Sequence, residues 1–320
     1  MIQSPLILAN LLHLSYNMWG DWKNPKMGPQ WCYQPTLRFD EPLWNELLEK
    51  MAAAKMNMVV IDVGDALQYK SHPEISIENA WSHEKMRSEI AKMRKMGLEP
   101  IPKLNFSACH DMWLGPYARM VSSKPYYQAC QDVIAEVIDV FDKPRFFHLG
   151  MDEEEVHHQE NFLYINSRKY DLWWRDVNFF LEQVGSKKVR PWVWSDYVWN
   201  HADEFYSRMP KHVLQSNWYR EPIIGPAKSV YGGVINKDIK CCQAYIDLDH
   251  AGFDQLPTVS NWETTDNIYN TIKFCKENVS AERLKGFFLT PWKITLPVAR
   301  EKHLEAIEHF GKAIKQFELA

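Results

Sequence analysis

Two adjacent acids, Asp152 and Glu153, are the residues of this chain best suited by type and spacing to do chemistry. They follow the mostly apolar run 146–149, which has the composition of a buried strand, after only Gly150 and Met151. Neighbouring carboxylates repel each other, which raises the pKa of one of them and favours its protonated form near neutral pH. A strand that ends in such a pair suits acid and base catalysis by a hydrolase built on a parallel barrel.

Other clusters of reactive side chains give weaker signals. Glu154 and Glu155 stand beside His157 and His158, but a Glu-x-x-His pair on one short helix needs a matching second set, which we do not find. We therefore interpret these four as surface residues and predict no metal and no cofactor. The six cysteines form no CxxC pair and no zinc-finger spacing with histidine, which favours buried free thiols. No GxGxxG or GxxxxGK[ST] motif follows a strand, which disfavours nucleotide binding.

Eight strand-like runs must position the acids, and helical patterns separate most of them. Strands and helical patterns that alternate regularly, eight strands in all, favour the α/β class and a closed (β/α)8 TIM barrel. We expect this barrel to form a single domain over residues 1–320. Asp40 and Ser82 are predicted helix N-caps, and Gly97 and Gly185 are predicted helix ends. The strands are predicted at 6–14, 58–61, 98–104, 145–150, 189–194, 213–216, 257–260 and 286–290. The helices are predicted near 40–51, 82–96, 124–141, 166–184, 201–209, 265–278 and 297–317, while 220–255 is less regular.

Composition limits the kinds of binding partner that we expect for this protein. The net charge of -4 provides no basic surface for nucleic acid, and no apolar run of 18 residues predicts a membrane span. The apolar run 6–14 lacks a preceding basic segment, so it favours a first strand over a signal peptide. The compartment stays open: periplasmic or secreted if a signal peptide has been removed, cytoplasmic otherwise. The 14 tryptophans are compatible with an aromatic core and equally with a glycoside or oligosaccharide substrate, because indole faces stack on sugar rings and ligand pockets are lined by aromatic residues.

Residues that follow the strands are predicted to form one site, because the C-terminal ends of barrel strands face the same bowl. There, carboxylates would transfer protons, amides would bind hydroxyls and indoles would stack on sugars. Besides Asp152 and Glu153, the predicted substrate-binding set is Asn17, Trp19, Asp62, Asp65, Asn105, His110, His148, Trp194, Asp196, Trp218, Tyr219, Trp262 and Trp292.

The chain resembles the glycoside hydrolase family 20 β-N-acetylhexosaminidases. The likeness covers residues 40–200 well and the last three strands loosely, and it implies a (β/α)8 catalytic barrel. Four segments carry it: 148–153 resembles H-x-G-G-D-E, 97–105 with His110 resembles G-I-E-V-I-P-E-I-D and its following His, 56–65 with 72–75 resembles the second strand and its acidic turn, and 192–196 resembles W-x-D.

The resemblance implies roles for the acidic pair. Glu153 would be the general acid and base that protonates the glycosidic oxygen. Asp152 would orient and polarise an acetamido group of the substrate, whose carbonyl oxygen is the nucleophile, so the enzyme would supply none. His148 would lie beneath the pair and His110 nearby, as orienting partners. The implied reaction is hydrolysis of a β-linked amino sugar with retention of configuration.

The chain also departs from the family pattern. The stretch 13–17 lacks the family's first-strand Arg, Lys293 follows Trp292 near where the family has a sugar-binding Glu, and Met151 replaces a Gly. Two alternatives therefore stay open. In one, Glu153 is the acid and a second tip carboxylate, Asp62, Asp65 or Asp196, is nucleophile or base. In the other, the protein binds carbohydrate without cleaving it. The oligomeric state is left open.

Overall fold

Eight parallel strands form a single sheet in the computed structural model, which describes residues 5–22, 28–220 and 237–320. Each strand begins and ends within two residues of its predicted bounds, and the sheet order is β6-β5-β4-β3-β2-β1-β8-β7. The strands are β1 (Ile7–His13), β2 (Met58–Asp62), β3 (Glu99–Lys103), β4 (Phe146–His148), β5 (Arg190–Trp194), β6 (Leu214–Ser216), β7 (Thr258–Val259) and β8 (Gly286–Leu289).

The sheet is nearly closed into a barrel between β6 and β7. An isolated parallel bridge joins Gln215 to Gln255, and the Thr258 amide donates to the Asn217 carbonyl oxygen at 3.0 Å. Helices alternate with the strands, so the predicted (β/α)8 TIM barrel is confirmed.

The helices follow the predicted pattern with two differences. The fourth begins at Asp171, later than predicted, because Tyr170 has a positive φ of 54°, and it continues through Gly185 to Ser186. The stretch 220–255, predicted to be less regular, contains a helix over its second half, while 221–236 lies outside the described residues. The helices are α1 (Glu41–Ala53), α2 (His83–Lys95), α3 (Lys124–Val140), α4 (Asp171–Ser186), α5 (Ala202–Arg208), α6 (Lys237–His250), α7 (Asp266–Asn278) and α8 (Arg300–Gln316).

Local chemistry explains where α1 and α2 begin and end. Asp40 accepts a hydrogen bond from the Leu43 amide at 2.7 Å, and Ser82 accepts one from the Lys85 amide at 3.2 Å. Both predicted N-caps are therefore confirmed. Gly97 follows α2 with a φ of +78°, a conformation that glycine adopts at little cost.

Apolar side chains fill the barrel and the layer between strands and helices. Trp192, Phe288 and Met58 are fully buried inside the barrel, and the strands bury their other face against the helices. All six cysteines are buried thiols, and none of them forms a disulfide with a described residue, as predicted. Across the described ranges, every helix is too short or too polar to cross a membrane.

Candidate active site

A pocket opens at the C-terminal ends of the strands, where the acidic pair was predicted to lie. Its wall combines indole rings with one amide, two imidazoles, two carboxylates and two cationic side chains, as expected for the bowl of a barrel. Seven of the predicted residues line it: Trp19, Asn105, His110, Asp152, Glu153, Trp262 and Trp292.

His110 bridges the two acids. Its Nδ1 lies 3.4 Å from Asp152 Oδ1, and its Nε2 lies 3.4 Å from Glu153 Oε2. Burial disfavours protonation of His110, but the two carboxylates outweigh it and raise the His110 pKa to about 10. Burial likewise disfavours ionisation of Asp152 and Glu153, yet the imidazolium lowers the pKa of both. The site is therefore a cation held between two anions.

Asn105 fixes the orientation of Asp152. The Asn105 Oδ1 atom accepts hydrogen bonds from the Met151 amide at 3.2 Å and the Ser107 amide at 3.1 Å. Its Nδ2 atom then faces Asp152 and donates to Oδ1 at 2.7 Å. The Asp152 carboxylate is thus held by the ends of β3 and β4 together, which leaves it little rotational freedom.

The turn after β4 has an unusual backbone. Gly150, Met151 and Glu153 all have positive φ values, of 71°, 77° and 54°. A side chain at position 150 would clash, because a Cβ there would lie 2.0 Å from Asn105 Oδ1. Non-glycine residues in this region carry strain of about 1 kcal/mol or more each, and such strain is common at functional sites.

A third carboxyl group, that of Asp196, contacts the backbone of Glu153. Its Oδ2 accepts from the Glu153 amide at 2.9 Å, and Oδ1 accepts from Trp218 Nε1 at 3.3 Å. Burial, reinforced by Asp152, raises the Asp196 pKa to about 8. We predicted that repulsion would raise the pKa of one acid of the adjacent pair, but the pKa of both is lowered and the raised pKa is that of Asp196.

Two predicted residues lie beneath the pocket in the barrel interior. Asp62 forms an ion pair with Lys103, and His13 Nδ1 lies 3.5 Å from the same carboxylate oxygen. His148 accepts a hydrogen bond from the Gly150 amide at 3.0 Å, and burial lowers its pKa well below the usual range. His148 is therefore neutral and supports the turn that carries the acids.

Four further predicted residues are directed away from the pocket. Asn17 and Asp65 bond to each other, with Nδ2 to Oδ2 at 2.9 Å, and Ser15 donates to the other Asp65 oxygen at 2.5 Å. Trp194 is buried and stacks on Phe288, and Tyr219 packs into the core beneath the helices.

Sequence reasoning missed several side chains of the pocket, and Arg220 is the most informative. Its guanidinium carbon lies 4.6 Å from the ring centroid of Trp218 and 5.6 Å from those of Trp262 and Trp292. Its Nη2 atom lies 3.8 Å from Glu153 Oε1. Arg220 follows the sixth strand tip by only a few residues, so the rule that collected Trp218 could have included it. The other missed lining residues are His13, Met18, Trp31 and Lys103.

The residues after Glu153 only partly match the predicted surface role. The side chain of Glu154 is only 4% exposed, and it accepts hydrogen bonds from Arg168 Nε at 2.8 Å and from the Ala108 amide at 3.1 Å. The interpretation of Glu154 as a surface residue was therefore wrong, because this ion pair ties the loops after β3 and β4 together. Glu155 and His157 are exposed, as predicted.

Two groups of side chains have the composition of a metal site. The ligand atoms of Glu155, His157 and His158 lie within 4.8 Å of one another, and so do those of His110, Asp152 and Glu153. In the second group the raised pKa of His110 opposes metal binding, because a metal requires neutral imidazole.

Known proteins similar to this chain include a curated beta-hexosaminidase. No family model matches the chain. The beta-hexosaminidase of Emericella nidulans is 25% identical over 223 residues, which are 54% of this chain and 36% of that protein. The chain thus spans about a third of this curated relative.

Solved structures resemble the whole barrel. A GH20 exo β-N-acetylglucosaminidase from Vibrio harveyi matches 98% of this chain and 58% of its own, with a TM-score of 0.60 and 11% identity. The GH20 β-N-acetylhexosaminidase of Streptomyces coelicolor matches 95% and 64%, with a TM-score of 0.63 and 10% identity. Dispersin B matches 97% and 99%, with a TM-score of 0.57 and 12% identity. The predicted resemblance to the family 20 barrel is confirmed at the level of the fold.

Proposed function

We propose that this protein is a glycosidase that removes β-linked N-acetylhexosamine with retention of configuration, assisted by the acetamido group of the substrate. The observation that carries the proposal is the Asp152–Glu153 pair at the tip of β4, bridged by His110 and facing an indole-lined pocket. The likeness to family 20 barrels and to a curated beta-hexosaminidase supports the same reaction class.

Asp152 suits the role of orienting the acetamido group. The substrate amide N–H needs an ionised acceptor, and His110 and Asn105 favour the ionised form of Asp152. A carboxylate hydrogen-bonded to that N–H stabilises the positive charge that develops on the amide when its carbonyl oxygen attacks C1. The attack forms a cyclic oxazolinium ion as the bond between C1 and the leaving oxygen breaks. Water then attacks C1 and opens that ring.

Glu153 suits the role of acid and base, provided that its proton affinity rises when substrate binds. Its side chain is 19% exposed, and Arg220 and His110 favour its anion. A sugar that fills the pocket removes the remaining water, which disfavours the anion and raises the pKa. The nearby Asp196, with a pKa of about 8, keeps a second carboxyl protonated beside Glu153.

Aromatic side chains line the pocket beside the two acids and would hold a sugar ring there. The ring centroids of Trp19 and Trp31 lie 4.9 Å apart in an edge-to-face arrangement, and those of Trp31 and Trp262 lie 6.2 Å apart. Together with Trp292, these rings give the pocket apolar walls on which the faces of a sugar ring would pack.

A mechanism with an enzyme carboxylate as nucleophile has less support. Asp62 is fully buried and ion-paired with Lys103, and Asp65 is enclosed by Ser15 and Asn17. Neither reaches the pocket wall. Asp196 is near Glu153, but its raised pKa favours the neutral form, which is a poor nucleophile.

The test is turnover of aryl 2-acetamido-2-deoxy-β-glycosides by the wild type and by Glu153→Gln. We expect the variant to lose about 10²–10⁴-fold in kcat for poor leaving groups, which need a proton, and much less for a dinitrophenyl group, which does not. Glu155→Gln, an exposed acid of the same loop, is the matched control. Wild-type rates in Glu153→Gln, or no turnover of any acetamido substrate by the wild type, would reject the proposal.

A further inference from the structure

Two cationic side chains approach the indole ring of Trp262 at the edge of the pocket. The Arg220 guanidinium carbon is 5.6 Å from its ring centroid, and the Lys293 ammonium is 4.0 Å from the same centroid. Arg220 also lines the wall that holds Asp152 and Glu153. A pair of cations that share one indole therefore borders the position where a sugar would stack.

The charge on the Lys293 side is not balanced by the described neighbours. Burial lowers the Lys293 pKa, Lys302 lowers it further, and Glu263 opposes them only in part. An adjoining groove of about 650 Å³ is lined by Lys293, Lys302 and Arg38, and none of the described residues that line it is acidic. Lys302 pairs with Glu305, outside the lining, at 2.9 Å, whereas Lys293 forms no ion pair with a described residue. This edge of the pocket is therefore a region of positive potential.

The cationic side chains at this edge can donate hydrogen bonds but cannot accept them. Lysine and arginine side chains donate hydrogen bonds and accept none, whereas a sugar hydroxyl is best held by a wall that also accepts. Sulfate and carboxylate groups accept without donating, and the planar guanidinium pairs with such oxygens in a two-pronged geometry.

We propose that the sugar bound in this pocket carries an anionic substituent, a sulfate or a carboxylate, held by Arg220 and Lys293 beside Trp262. The inference rests on the proposed function in that it places the anionic sugar in the pocket of Asp152 and Glu153. It adds a substrate class: acidic N-acetylhexosamine derivatives rather than neutral ones.

Direct binding tests the inference without requiring turnover. The full chain is titrated calorimetrically with N-acetylglucosamine, with its 3-, 4- and 6-monosulfates, and with the corresponding 6-carboxylate. We expect at least one anionic ligand to bind about tenfold or more tightly than the neutral sugar, with an advantage that shrinks as salt is added. The sulfate and carboxylate arms distinguish the two sources of charge. If no anionic ligand binds more tightly than the neutral sugar, the inference is wrong.

Variants then locate the recognition. Lys293→Gln and Arg220→Gln should each lower the ratio of anionic to neutral affinity about tenfold, while Lys293→Arg should retain it. Lys273→Gln, an exposed lysine on α7 away from the pocket, is the matched control and should change neither affinity. Equal losses for neutral and anionic ligands would contradict the inference.

Hydrolysis is measured in parallel to separate the two proposals. Preferential anion binding without cleavage of any aryl glycoside would reject the proposed function and leave this inference standing. Cleavage of neutral N-acetylhexosaminides with no preference for anionic ligands would reject this inference alone.

Discussion

At the scale of single residues, His110 controls the charge of the acidic pair. It is buried, yet it contacts one oxygen of Asp152 and one of Glu153, so its positive charge is shared between them. The usual logic of two repelling carboxylates is thereby altered, because an imidazolium between them favours both anions. Catalysis would need Glu153 to be protonated while Asp152 stays ionised, so the pH range of activity depends on His110.

Replacement of His110 should shift the pH dependence of kcat/KM. In His110→Gln the cation is lost, so the pKa of Asp152 and that of Glu153 both rise. Both limbs of a bell-shaped profile should then move to higher pH by about one unit or more. His72→Gln removes a histidine that pairs instead with Glu74 and Asp132, and should leave the profile in place. An unchanged profile in His110→Gln would remove His110 from this role.

At the scale of elements, the turn after β4 positions the acids. Gly150 approaches Asn105 so closely that a methyl group has no room, and Asn105 in turn holds Asp152. The turn is also supported from below by His148 and from the side by the Arg168–Glu154 ion pair, which joins the loops after β3 and β4.

Gly150→Ala should therefore impair activity beyond its effect on stability. The added Cβ forces Asn105 and Asp152 apart, so we expect kcat/KM to fall about tenfold or more. Gly97→Ala is the matched control, because Gly97 has a similar φ of +78° and nothing within 4 Å of a built Cβ. It should lower Tm slightly, since alanine is strained at positive φ by about 1 kcal/mol, and leave activity intact. Equal activity of the two variants would contradict this account of the turn.

The elements themselves were largely predictable, because apolar runs define barrel strands and Asp40 and Ser82 announce their helices. The start of α4 was not, because it depends on the backbone of Tyr170 and on the burial of Arg168, which are tertiary effects. The strand-tip rule identified the acids and most of the wall. It could not tell which tip residues face the pocket and which pack elsewhere: Trp194 packs on Phe288, and Asp65 forms hydrogen bonds with Ser15 and Asn17.

At the scale of the whole molecule, several buried groups hold protons that the unfolded chain would release. Burial raises the pKa of Asp65 to about 7, and it raises the pKa of Asp111 and of Asp196 to about 8. His110 is raised to about 10 by its two carboxylates, against the effect of burial. Between pH 6.5 and 9 the folded state therefore binds more protons than the unfolded state, and stability must fall as pH rises.

Denaturant unfolding at several pH values checks this expectation. The free energy of unfolding should decrease from pH 6.5 to 9, and least steeply near pH 6.5, where the unfolded chain still protonates His148 and His303, whose folded pKa burial lowers. In Asp196→Asn the slope should be shallower by the contribution of one proton. Stability that is constant or increasing over this range would show that these carboxyls are not held protonated.

The central claim is that the acetamido carbonyl of the substrate is the nucleophile, with Asp152 orienting it and Glu153 protonating the leaving oxygen. The most direct test is kcat/KM of the wild type for aryl glycosides whose N-acetyl group carries none, one, two or three fluorine atoms. Each fluorine withdraws electrons from the carbonyl oxygen, so the rate should fall at every step, by more than about 100-fold across the series. A rate that does not depend on fluorination would show that a carboxylate of the protein or water attacks instead, and would contradict the account.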